Sequence, residues 1–73
     1  MMVLPTREQI ARLRDQYKKG TTVRLISMDD FQAPPSGTIG EVIGVDDAGS
    51  IMVRWSTGSS LSLIPGEDLF EIV

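Results

Sequence analysis

From Thr21 onward the chain is cut by turn residues at intervals of about ten into short apolar or β-branched runs. Helical periodicity does not return after that point. Segments of this length, ended repeatedly by glycine, proline or paired aspartates, build a small sandwich or barrel of short strands. Ser50 to Ser56 shows the pattern best, with Ile51, Val53 and Trp55 on one face and Met52, Arg54 and Ser56 on the other. Four further strands are expected over Thr22 to Met28, Thr38 to Val45, Ser59 to Ile64 and Leu69 to Val73. A hairpin turn at Thr57 and Gly58 joins the third to the fourth, and a single helical turn at Pro65 to Asp68 precedes the last. Gly40 and Gly44, inside the second strand, suggest bulges or sharp bends.

The first twenty residues read differently. Thr6 followed three positions later by Gln9 is a capping-box pattern, and Arg7 to Lys19 holds neither glycine nor proline. A helix of about three turns is expected there, with Ile10, Leu13 and Tyr17 forming a narrow apolar stripe. Glu8 with Arg12 and Asp15 with Lys19 are acid-first pairs four residues apart, and Gly20 suits a left-handed terminus. The expected core is Val23, Leu25, Val42, Val45, Ile51, Val53, Trp55, Leu61, Leu63, Leu69 and Ile72, with the helix stripe laid over it. The chain is then one mostly β domain: a helix over residues 1–20 packed on a five-stranded barrel over residues 21–73.

Composition removes several classes of chemistry. The 73 residues include no cysteine and no histidine, so disulfides, thiolate nucleophiles, the usual zinc sites and imidazole acid–base catalysis are excluded. No phosphate-cradling glycine loop or Ser/His/Asp constellation occurs, and no enzyme activity, cofactor or metal is expected. The apolar runs are too short to span a bilayer, and no secretory leader pattern is visible at the N-terminus, so a cytoplasmic protein without membrane contact is expected. Formal charge is −3 with a pI near 4.6, which disfavours general attraction to nucleic acid. Residues 1–24 nevertheless hold six of the seven bases and two of the ten acids, an asymmetry that leaves room for a local basic face.

Five short strands with a long first loop, a glycine-punctuated second strand, a tight third hairpin and a turn before the last strand resemble the SH3-like barrel. The wording from Lys18 to Phe70 is more specific. Met28 to Asp30, Pro34 to Thr38, Asp46 and Asp47, Val53 to Trp55, and Gly58 to Leu61 together resemble the bacterial and phage family called domain of unknown function 4314. The resemblance implies an SH3-like fold and a home in bacteria, phages or mobile elements. It implies no activity.

Two surfaces are candidates for function. Phe31 is a large apolar side chain in the polar, proline-containing loop Asp29 to Gly37, so it is either tucked back as a lid or displayed to a partner. Asp29, Asp30, Phe31, Gln32 and Pro34, with Trp55 at a barrel rim, make a candidate site for an unknown protein partner. Arg7, Arg12, Arg14, Lys18 and Arg24 are the alternative, a face for nucleic acid. Self-association through an open sheet edge is a third possibility. The acidic pairs Asp29 and Asp30, Asp46 and Asp47, and Glu67 and Asp68 lie at loops or turns, where carboxylates more often bond nearby backbone than hold a cation. The leading expectation is a non-enzymatic protein-interaction module, an accessory or inhibitor carried by a phage or mobile element.

Overall fold

The computed structural model describes residues 5–73; the part of the expected helical segment that falls on residues 1–4 lies outside them. Helix α1 spans Arg7–Gln16, followed by strands β1 Thr22–Ser27, β2 Ile39–Val45, β3 Ile51–Trp55 and β4 Leu69–Ile72. The four strands pair antiparallel, and the sheet runs in the order β3-β2-β1-β4.

The capping box at the start of α1 is formed: the Gln9 amide donates to Thr6 Oγ1 at 3.1 Å and the Thr6 amide to Gln9 Oε1 at 2.7 Å. Its end falls earlier than Lys19. Tyr17 leaves helical geometry, with its amide still bonded to the Leu13 carbonyl, and its ring meets Phe70 at 5.5 Å between centroids. The chain then turns at Lys18 to Thr21, with the Thr21 amide bonded to the Lys18 carbonyl at 3.0 Å, and enters β1. Gly20 is therefore not the helix terminus; its amide bonds the Val42 carbonyl in the sheet. The Glu8 and Arg12 pair is present at 4.0 Å, whereas Asp15 meets Lys18 at 3.8 Å rather than Lys19; both lysines lie past the end of the helix at Gln16.

Side chains of one sheet face form the core: Val23, Leu25, Val42, Val45, Ile51, Val53, Trp55 and Leu63 are buried, with Leu13, Tyr17, Met28 and Phe70 packed against them. Val42 and Val45 are three residues apart, so a regular strand would aim them to opposite faces. A register shift between Val42 and Gly44 against β3 inserts the extra residue that brings both inward. Gly40 marks something else. It lies opposite Trp55, and a Cβ built on it would stand 2.5 Å from Val53 Cγ1 and 2.7 Å from Trp55 Cε3. The indole occupies the space that any other residue at position 40 would need.

Among the described residues four strands form where five were expected. Ser59 to Ile64 meets β3 through its backbone at two points: Leu63 exchanges two 2.8 Å hydrogen bonds with Ile51, and the Ser59 carbonyl accepts from the Trp55 amide at 3.0 Å. In that register Val53 faces Leu61, but the groups of Leu61 are turned elsewhere. Its carbonyl accepts from the Trp55 indole Nε1 at 2.8 Å, and its amide donates to Ser59 Oγ at 3.3 Å. A buried indole N–H requires an acceptor, and the acceptor it finds is the carbonyl that the fifth strand needed.

The core differs from expectation at β4. Leu69 and Ile72 are 61% and 50% exposed, and Leu61 is only half-buried. Leu69 points to the outer face; Phe70, opposite Leu25, packs inward, and Ile72, on the same face as Phe70 and opposite Val23, stays half-exposed on the edge strand. The turn before β4 is not a helical turn, because Gly66 has φ +90° there. Gly40→Ala is expected to cost about 1–3 kcal/mol by overpacking, measured as a shift in urea midpoint followed by Trp55 fluorescence. Gly44→Ala, whose added carbon meets only Met52 Cε at 3.4 Å, is expected to cost clearly less.

Candidate functional site

The loop between β1 and β2 is built from its own residues. Asp30 Oδ1 accepts from the Gln32 amide at 2.8 Å and the Asp30 carbonyl accepts from the Ala33 amide at 3.1 Å, which closes a turn around Phe31. Pro34 is buried. The Thr38 amide and hydroxyl both donate to the Pro35 carbonyl, at 3.1 and 2.6 Å, and the Gly37 amide bonds back to the Leu25 carbonyl at 2.7 Å. Phe31 stands on this framework at 103% exposure, as open as the side chain is in an extended peptide. The ring is exposed and is not tucked back as a lid. Asp29 and Gln32 are exposed beside it.

Trp55 is not part of this surface. At 1% exposure it is sealed in the core, where its ring covers Gly40 and its N–H is bound to Leu61. A partner resting on the loop meets Phe31 and polar neighbours, without the indole as a second anchor.

The five bases do not form one free cationic face. Arg14 donates from Nε to the Val45 carbonyl at 3.2 Å and from Nη2 to Asp47 at 2.8 Å, tying α1 to the β2–β3 turn. Arg24 lies opposite Glu71 on β4 and bonds it at 2.9 Å. Arg12 and Lys18 have the acidic neighbours Glu8 and Asp15 on their own helix or just beyond it. Arg24 also alternates with the core residues Val23 and Leu25, so it points to the outer sheet face, away from a helix that packs on the inner side. Arg7 is exposed at the first turn of α1.

One carboxylate of each acidic pair holds a turn. Besides Asp30, Asp46 Oδ1 accepts from the amides of Ala48 and Ser50 at 3.0 and 2.9 Å, and Asp68 Oδ2 accepts from the Ile64 amide at 2.7 Å. The Asp46 turn closes with a Gly49 amide to Asp46 carbonyl bond and φ +85° at Gly49; the β3 hairpin repeats this with Gly58, φ +92°, bonded to Trp55. Both are three-residue hairpins in which only the last loop residue must be left-handed. Among the described residues, no group of three or more acidic side chains gathers where a cation would sit.

The structure adds one feature that sequence spacing did not indicate. A groove of about 790 Å³ opens between α1, the Asp46 turn and the Ile64 turn, lined by Pro5, Gln9, Leu13, Gly49, Ile64 and Pro65 among others. Its walls come from three distant segments, and no local pattern in the sequence announces it.

Fold and loop together define a small domain of one helix and a four-stranded antiparallel sheet that presents a single aromatic on a hydrogen-bonded turn. The family model described as domain of unknown function (DUF4314) matches residues 6–73, and the chain belongs to that family. No curated protein and no solved structure gives a significant match. Among the described residues, no helix is long and apolar enough to cross a membrane. Asp46→Ala, which removes two backbone acceptor contacts, is expected to lower stability by about 1–2 kcal/mol. Asp29→Ala is expected to stay within about 0.5 kcal/mol of the parent. Chemical denaturation of the two variants side by side separates a turn-building carboxylate from a solvated one.

Proposed function

We propose that this is a cytoplasmic, non-enzymatic protein-interaction module whose contact surface is the loop Asp29 to Gly37, with Phe31 as its anchor. The observation that carries the reading is the full exposure of Phe31 on a loop whose backbone is already hydrogen-bonded. An apolar ring held in water has an unfavourable free energy that burial against a partner relieves. A loop already ordered loses little further entropy when it binds. Asp29, Asp30 and Gln32 would supply a polar rim around that anchor, the arrangement in which one buried aromatic dominates and its surroundings exclude water.

The layout of strands supports an SH3-like barrel as the scaffold. The order β3-β2-β1-β4, extended past β3 by the Leu63 bridge, is a meander whose last strand returns to pair with the first. The family resemblance to bacterial and phage proteins supports an accessory or inhibitor role within a phage or other mobile element.

The test is affinity capture from lysate of the source cell, with and without nuclease, comparing the parent protein with Phe31→Ala. Phe31 touches nothing that the fold needs, so the variant is expected to unfold within about 0.5 kcal/mol of the parent. A protein captured after nuclease by the parent and lost with the variant is the expected outcome. Equal capture by both overturns the site, and capture that disappears with nuclease overturns the class of partner.

A further inference from the structure

The sheet order leaves β4 at an edge, paired on one side with β1. Val73 donates to the Thr22 carbonyl, and Arg24 stands opposite Glu71, so Glu71 and Val73 direct their backbone groups toward β1. By strand alternation the amides and carbonyls of Phe70 and Ile72 face outward. Among the described residues no other segment pairs with them.

Edge strands are normally guarded by a charge, a proline or a bulge placed at the open side. Leu69 to Ile72 contains no proline, and its one charge, Glu71, has its carboxylate drawn inward to Arg24 at 2.9 Å. The register shift of this pair lies on the β1 side, between Leu25 and Ser27. Leu69, Ile72 and Val73 remain exposed at 61%, 50% and 51%.

We infer that β4 pairs antiparallel with β4 of a second copy of this chain, about a twofold axis through Glu71. The strand is complementary to itself in that register. Leu69 faces Val73 of the other copy on the outer side, and Phe70 faces Ile72 on the inner side, so each apolar residue meets another. The outward groups of Phe70 and Ile72 coincide with the hydrogen-bonded pairs of that ladder, giving four backbone bonds between copies. A central Glu71 pair is a like-charge contact. Each carboxylate keeps Arg24 on its other side, however, so the row across the joined sheet reads Arg24, Glu71, Glu71, Arg24. An unrelated strand would need the same length, apolar parity and compensated charge; a second copy has them by symmetry. This surface is separate from the Phe31 loop, and the two assignments stand or fall independently.

Sedimentation velocity over a concentration series up to millimolar, on the full chain, tests the pairing. The parent is expected to pass from monomer to dimer without larger species, with the Phe70 and Ile72 amides gaining protection from hydrogen exchange as concentration rises. Ile72→Pro removes an outward N–H while leaving the β1 ladder intact, which is where proline is tolerated on an edge. It removes two of the four bonds in the dimer and is expected to weaken association about thirtyfold or more. Leu69→Lys, outside the inner core, is expected to weaken it as well, while circular dichroism and Trp55 fluorescence report an unchanged fold. A parent that stays monomeric throughout, or two folded variants that dimerise as well as the parent, overturns the inference.

Discussion

The indole of Trp55 is the contact on which the rest of this small domain depends. It lies across Gly40 on the neighbouring strand, closes the core beside Val53, and fixes the path of a third segment through its bond to the Leu61 carbonyl. One side chain therefore joins β2, β3 and the chain that follows β3. In a domain of this length the core is small, and a single large ring that excludes water from three segments is worth more than several scattered methyl groups. The absence of a side chain at position 40 is the counterpart of that ring.

The polar framework is economical in a similar way. The three acidic pairs do not gather into a site; they are spent one carboxylate at a time on backbone amides at three turns. Arg14 then connects α1 to the second of these turns by two bonds, one to backbone and one to Asp47. The ion pair alone is exposed to solvent and worth little. It ties α1 to the β2–β3 turn on the side of the sheet against which Leu13 packs.

Much of this was legible from residue patterns, because those patterns encode local geometry. The capping box at Thr6 and Gln9, the alternation from Ile51 to Trp55 and the inward positions of β1 all follow from spacing, whereas Val42 and Val45 share a face only through the register shift next to Gly44. The exceptions arise where one part of the chain overrides another. Ser59 to Ile64 has a strand's composition, yet the need of a buried N–H elsewhere takes the Leu61 carbonyl from the ladder. Leu69 is as apolar as Phe70, and only the register against Leu25 decides which turns inward. At the candidate site, the loop and its aromatic could be picked out as an anomaly, since a phenylalanine amid aspartate and proline has no local reason to be there. The retreat of Trp55 from that surface could not, because rim and core positions share one strand face. Pairing of Arg14 with Asp47 and of Arg24 with Glu71 spans more than thirty residues each, beyond what spacing encodes.

The diverted segment after β3 also bears on what the sheet can become. In the language of polymerisation, a sheet with two open edges is a bifunctional monomer, and repeated addition gives a fibre. Here the β3 edge is already occupied at Ile51 and Trp55 by residues that then leave the ladder, so they offer no regular strand to a newcomer. The molecule is in that sense monofunctional, with one reactive end at β4. Joining two such units consumes both ends, and the indole's hold on Leu61 acts as the chain terminator.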